Sequence, residues 1–258
     1  MTSTAAAPPP PRAYRRLSVE ERRAQLLVAA LGLFAHRAPD EVSLDEVAVA
    51  AGVSRPLVYR YFPGGRQQLY EAALGSAADE LKLCFTEPPV GPPTERVARV
   101  LDRYLRFVDE HDTGFSALLR GGSVVETSRT TTIVDGVRRA AAEEILSHLG
   151  RIGGAGGRGA GPRLRMMVRS WIAAVEAASL IWLDEGKQPS AAELRGWLVD
   201  HLIALLAATA ATDEETAAVV RDLLALETPD GPAGRLAELV IPVVAEAAHL
   251  LPQVTAAD

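Results

Sequence analysis

The chain has 258 residues, 48% of them apolar and 23% charged, enough for one large or two modest domains with a substantial buried core. Its net charge of −6 excludes a uniformly basic coat protein but leaves room for a local basic patch, so charge has to be counted by segment. A single cysteine, Cys84, excludes an intramolecular disulfide and, with no Cys/His cluster, a zinc finger, so no metal and no cofactor is expected and Cys84 reads as buried and inert.

Residues 1–17 begin MTSTAAAPPPPR, with four prolines where a secretory leader would need an apolar helix, and read as a disordered tail. The late apolar run at 202–212 is far shorter than the ~20 residues that cross a bilayer, so no membrane partner and a cytoplasmic setting are expected. Beyond the tail, Ala, Leu, Glu and Arg dominate and apolar residues recur at three and four, which predicts an all-α protein.

A first amphipathic helix is expected over 18–37, opened by Ser18 and Glu21 in capping-box spacing and stopped by Pro39. Ser43 can cap a short second helix carrying Leu44, Val47 and Ala48 inward, and Gly52 supplies the backbone that ends it. Ser54 can cap a third. A fourth helix over 66–85 ends at EPPVGPP, a joint. Further helices are expected from Val97 to Val108, over 127–149 and, after a flexible Gly-rich loop at 150–162, over 163–185, 191–209, 213–226 and 235–251. TTTIV at 130–134 has strand propensity and blurs one start. Pro242 is a possible kink.

The segment SLDEVAVAAGVSRPLVYRYF, 43–62, has helix-turn-helix spacing. In such a unit the first helix braces the second, which enters the major groove, about 12 Å wide, with its N-terminal residues against the bases. Those residues are Arg55, Pro56 and Leu57; Val58 and Phe62 have the spacing to pack inward, while Tyr59, Arg60 and Tyr61 stay near phosphates. Residues 1–70 hold nine Arg and six acids, net +3, whereas 71–258 hold 18 basic and 27 acidic groups, net −9. A basic head on an acidic body orients an encounter with DNA.

ERRAQLLVAALGLFAHRAPDEVSLDEVAVAAGVSRPLVYRYFPGGRQQLYEAAL, 21–74, resembles the DNA-binding region of TetR-family transcriptional regulators. The resemblance rests on a long helix ending in LFA, the VSLDEVAVAAGVS helix and turn, VYRYF, and a further helix beginning near GGRQQL. It implies a three-helix DNA-binding domain at 18–65 and a larger helical domain at 66–258 that binds an effector and pairs subunits. It also implies that Ser43 and Ser54 meet phosphates, that Arg55 and Pro56 face bases, and that Tyr59 and Tyr61 hold the DNA backbone. Leu57 departs from the small or polar residue frequent there. The lysine that often starts the fourth helix is replaced by Arg66, displaced by one residue, with a phosphate contact still expected.

The rest of the chain matches the family as an architecture. Tyr104, Val108 and Phe115 are the expected effector contacts on that basis. Trp171, Val175 and Trp182 share one stripe of the 163–185 helix, suited to core, dimer seam or pocket wall, and Glu176 could anchor a cationic ligand or pair with an arginine. Leu194, Trp197, Leu198, His201, Leu202 and Leu205 form a second stripe, and these two helices are the expected dimer surface, with Trp182 in it. No GxSxG, Walker A or HExxH motif is present and the five histidines sit in no catalytic pattern, so an enzyme is not expected. The expected function is a homodimeric repressor, released from a near-palindromic double-stranded operator by a mainly apolar small molecule. The alternative is a helical DNA-binding protein without an effector.

Overall fold

The computed structural model describes residues 17–119, 128–152 and 160–247, all regular elements of which are helical. The expected tail and most of the Gly-rich loop lie outside the described residues, as does residue 248 onward of the expected last helix. Eleven α-helices follow in order among the described residues: α1 (Val19–Phe34), α2 (Leu44–Ala50), α3 (Arg55–Tyr61), α4 (Gly65–Phe85), α5 (Pro93–Glu110), α6 (Asp112–Leu119), α7 (Ser128–Ile152), α8 (Pro162–Asp184), α9 (Ala191–Ala210), α10 (Glu214–Leu224) and α11 (Pro232–Ala247).

Four of the helices begin where a side chain satisfies free backbone N–H groups. Ser18 caps α1 in a complete capping box with Glu21, Ser43 does the same for α2 with Glu46, and Ser190 for α9 with Glu193. Asp213 caps α10, its carboxylate accepting from the Thr216 amide at 3.0 Å and hydroxyl at 2.5 Å. TTTIV is helical, inside α7: Thr130 is buried there, so packing decides what local propensity left open. The short helix α6 was not expected; it follows α5 after a single residue, His111.

Two apolar clusters organise the molecule. Leu26, Ala30, Phe34, Val47, Val58, Phe62 and Leu69 form the core of a head built from α1, α2, α3 and the first half of α4. Leu81, Leu101, Leu105, Val108, Trp171, Leu198 and their neighbours form the core of a body built from the second half of α4 through α10. Leu69, Tyr70 and Ala73 belong to the head and Leu81 to the body, so the division falls inside α4 rather than at residue 66. A single rigid helix shared by both cores couples them mechanically.

Helix α8 is, among the described residues, the one helix long and apolar enough to cross a membrane by length and composition. Its Leu164, Val168, Trp171, Val175 and Trp182 are buried inside the body, against α7 and α9.

Candidate nucleic-acid interface and effector cavity

Helix α3 has two unlike faces. Val58 and Phe62 are fully buried in the head core, which fixes the rotation of the helix and turns Ser54, Arg55, Pro56, Tyr59 and Arg60 outward. Leu57 and Tyr61 are half-buried, Tyr61 against the head core. The turn before α3 depends on Gly52, whose φ of +63° lies in the left-handed region that side chains disfavour, while the Val53 amide donates to the Ala48 carbonyl at 2.9 Å. Gln25 on α1 closes the same corner, its Nε2 donating to the Ala51 carbonyl at 2.9 Å. The helix pair is therefore held at a fixed angle by one glycine, one side-chain bond and a shared core.

The outward face carries a connected set of polar groups. Arg55 pairs through Nε with Asp45 Oδ1 of α2 at 2.8 Å, its Nη2 donates to the Tyr59 hydroxyl at 3.4 Å, and its guanidinium lies over the Tyr59 ring at 5.5 Å. Tyr59 and Asp45 together raise the Arg55 pKa. The Ser43 hydroxyl is already committed to the α2 cap, donating to Glu46 Oε2 at 2.7 Å. Glu46 is held by Arg37 Nη1 at 2.6 Å and by Ser43, and these bonds lower its pKa to about 2. Arg66 is exposed and donates to the Asp40 carbonyl at 2.7 Å, which ties the start of α4 to the turn at Pro39–Glu41. The Ser54 side chain makes no capping bond to α3, which leaves its hydroxyl available. Asp45 and Arg37 escaped the sequence reading; their roles depend on cross-helix distances, which no local spacing reports.

The body encloses an apolar cavity of about 160 Å³ between α4, α5, α7, α8 and the inner face of α9. Tyr104, Phe115, Trp171, Val175 and Glu176, five of the six expected effector contacts, line it. Val108 does not: one turn beyond Tyr104 on the same face of α5, it is fully buried in the body core. Glu176 is held by Arg138, with Nε and Nη2 donating to its carboxylate at 2.9–3.1 Å, the arginine-paired alternative for this residue. Burial raises the pKa of Tyr104, and its hydroxyl makes no close hydrogen bond; the Ser179 hydroxyl beside it, which partly offsets that shift, donates to the Val175 carbonyl at 2.8 Å. The Trp171 indole donates to the Leu198 carbonyl at 3.0 Å and locks α8 onto α9.

The structure corrects the expected dimer surface. Trp182, Leu194, Leu198 and Leu202 are all buried within this one chain, and Leu202 lines the cavity. His201 and Leu205 are half-buried. Of that set only Trp197 is exposed, at 56%, with its ring 5.3 Å from that of His201. The stripes on α8 and α9 face each other because each helix is apolar over most of its circumference, so periodicity identifies apolar stripes without saying which one turns inward. Their outer faces carry Met166, Ala173, Ala177 and Ile181 on α8, and Trp197, Ala204 and Ala208 on α9. Cys84 is half-buried rather than buried, and burial raises its pKa.

Missed on the sequence were Arg96, Glu87 and His148 at the same cavity. Arg96 stood within reach of pattern reading: it precedes Val100 by four and Tyr104 by eight residues, on the edge of the same apolar stripe.

A second cavity, of about 100 Å³, lies between head and body, lined by Phe34, Tyr70, Leu74, Phe107, Phe115 and Val134 among others. Beside it the Gly114 amide of α6 donates to the Ala35 carbonyl at the end of α1 at 3.0 Å. Lys187 bridges to Asp109 at 2.5 Å and Asp112 at 3.4 Å.

This arrangement has known counterparts. Residues 26–73 match the family model for bacterial regulatory proteins of the tetR family, and residues 93–205 match that for the tetracyclin repressor-like C-terminal domain. A solved tetR-family transcriptional regulator from Streptomyces coelicolor is 51% identical, with a TM-score of 0.80 over 90% of this chain and 100% of that one. The HTH-type transcriptional activator FasR of Mycolicibacterium smegmatis is 29% identical over 113 residues, 43% of this chain and 51% of that protein. An HTH-type transcriptional repressor of Mycobacterium tuberculosis is 36% identical over 90 residues, 34% of this chain and 45% of that protein. The matches to these two curated relatives thus span about half of their length. A capped α2 joined to α3 at a glycine turn, a shared α4 and a helical body, with a half-identical solved structure matched over 90% of the chain, lead to one conclusion: the chain belongs to the TetR family of transcriptional regulators.

Proposed function

We propose that the protein is a homodimeric, ligand-responsive repressor that reads a near-palindromic double-stranded operator and leaves it when a mainly apolar small molecule fills the body cavity. The observation that carries this reading is the two-faced α3, with Val58 and Phe62 buried and Ser54, Arg55, Pro56, Tyr59 and Arg60 presented outward on the basic head. In the bound state Arg55, Pro56 and Leu57 face base edges, while Ser43, Ser54, Tyr59, Arg60, Tyr61 and Arg66 meet the phosphates. Its DNA partner makes the protein cytoplasmic.

A dimer is needed to place two α3 helices in successive major grooves. The outer faces of α8 and α9 suit that role: Met166 is 68% and Ile181 60% exposed, and the intervening alanines allow close helix approach. A cavity between helices of the body gives a ligand purchase on α4, which the head shares. A guest releases DNA only if it fits the DNA-free spacing of heads better than the bound one.

Binding of the purified protein to operator fragments selected from random DNA, with and without ligands recovered by native mass spectrometry, tests the proposal. Release of a selected palindrome by a recovered ligand is the expected result. Selection of a sequence whose affinity no ligand changes would leave a DNA-binding protein without an effector. Absence of any sequence preference would remove the reading. Transcription from an operator-bearing promoter separates repression from activation, and the two curated relatives include one of each.

A further inference from the structure

The cavity in the body is apolar along most of its length but not at the end where α5 begins. Arg96 lines it there, and this arginine is only 8% exposed, with a buried Nε that has no hydrogen-bond partner. Among the described residues it forms no ion pair. Two carboxylates, Glu87 and Glu144, act on it through space, and neither pairs with it. Glu87, itself buried, accepts from Arg99 Nε at 2.6 Å and from Arg103 Nη2 at 2.8 Å. Glu144 stands 3.2 Å from His148 Nδ1. Arg151 and Arg99 add positive charge nearby, and burial foremost, then Arg151, lowers the Arg96 pKa. An unpaired buried guanidinium is costly, and a planar fork with an open Nε edge is suited to a carboxylate.

A second polar atom without a close hydrogen bond lies on the same helix. The Tyr104 hydroxyl is buried in the apolar stretch of the cavity, two turns or about 12 Å farther along α5. The wall between them is formed by Val97, Val100 and Leu101 of α5 and by Ile145 of α7.

We infer that the cavity takes an amphipathic carboxylate, its head group paired with Arg96 and its apolar chain lying along α5 toward Tyr104. This inference rests on the cavity being the effector site and specifies the ligand class. One guanidinium balances one negative charge, the chain replaces water on an apolar wall, and a hydroxyl or carbonyl on the chain near Tyr104 would receive its phenolic hydrogen.

The test compares decanoate, 1-decanol and decyltrimethylammonium by calorimetry on the full chain. Without an anchor the neutral alcohol, the most readily dehydrated of the three, binds best. With Arg96 as anchor, decanoate binds tighter than decanol by about tenfold or more and the cation binds weakest. In Arg96→Met, which keeps the length and apolar volume of the side chain, decanoate falls below decanol while decanol binding is retained. Should Arg96→Met fail to fold by circular dichroism, the ranking in the unaltered protein decides, together with Arg96→Lys, which keeps the charge, loses the fork and narrows the preference. Decanol binding as well as decanoate, or a preference for decanoate that survives Arg96→Met, overturns the assignment while leaving an effector cavity. Binding of none of the three overturns the inference and counts against the cavity as an effector site.

Discussion

Arg55 is not a free cation waiting for DNA. Its Nε is paired with Asp45 and its plane lies over Tyr59, so the guanidinium is held in one region of the α3 surface before any base arrives. That restraint reduces the side-chain entropy lost on binding, and the Asp45 carboxylate in turn repels phosphates on misplaced DNA. Arg55→Ala should cost about 1–3 kcal/mol on the operator and relax preference at one position per half-site, whereas Tyr59→Phe should weaken all sequences alike. Asp45→Asn should tighten binding to random DNA and narrow the gap between operator and non-operator; an unchanged gap in a titration would leave Asp45 no part in selectivity. Glu46 supplies a pH test at the same scale. Its pKa is about 2, below the ordinary glutamate value of 4.5, so the stabilisation it gives is present above pH 4.5 and is lost as pH falls toward 2. Carboxyl resonances followed by NMR should place the Glu46 titration low, and Arg37→Gln should move it upward, because the Arg37 bond is the main cause of the shift.

At the scale of elements, α6 meets the end of α1 backbone to backbone through the Gly114 amide and the Ala35 carbonyl. A Cβ on Gly114 would overlap the Phe34 carbonyl oxygen, and that carbonyl belongs to the last turn of α1, where backbone cannot yield without moving the helix. Gly114→Ala should therefore destabilise the protein by about 1–3 kcal/mol, an overpacking cost, and weaken operator binding by shifting the head. Gly136, in the interior of α7 with nothing near its added Cβ, is the control: Gly136→Ala should stabilise by about 0.5–1 kcal/mol through helix propensity alone. Thermal unfolding of the two variants checks both signs. Sequence patterning located α1 to within a few residues and gave its cap, because Ser18 and Glu21 act locally. It gave no sign of α6, whose eight residues carry too few turns for a periodic signal and are positioned by contacts to α1 and α5.

For the whole molecule, the two faces of α8 and α9 make opposite predictions. Trp197→Glu, on the outer face, should leave a folded monomer in sedimentation, with weak operator affinity because one head alone spans one half-site. Leu202→Glu, on the inner face, should instead destabilise the body by burying a charge beside the cavity. A stable dimer for Trp197→Glu would move the seam to another surface, such as that of α11. Effector and operator should oppose each other by the same factor, typically five- to 150-fold or about 1–3 kcal/mol, since linkage between two binding equilibria is reciprocal. Calorimetry with and without operator measures both sides.

What the sequence by itself determined were features written in short spacings. The caps at Ser18 and Ser43, the Gly52 turn and the inward Val58 and Phe62 all depend on residues within a few positions of one another, and the helix-turn-helix follows from them. Tertiary structure alone decided the questions that require two distant segments to meet. Which apolar stripe of α8 and α9 turns inward was open because both helices are apolar nearly all round, and only the packing of α8 on α9 buries Leu194, Leu198 and Leu202. The partners of Arg55 and the solitude of Arg96 are likewise properties of neighbours, not of sequence spacing: a charge is defined by what stands within a few ångströms of it, and folding sets those distances.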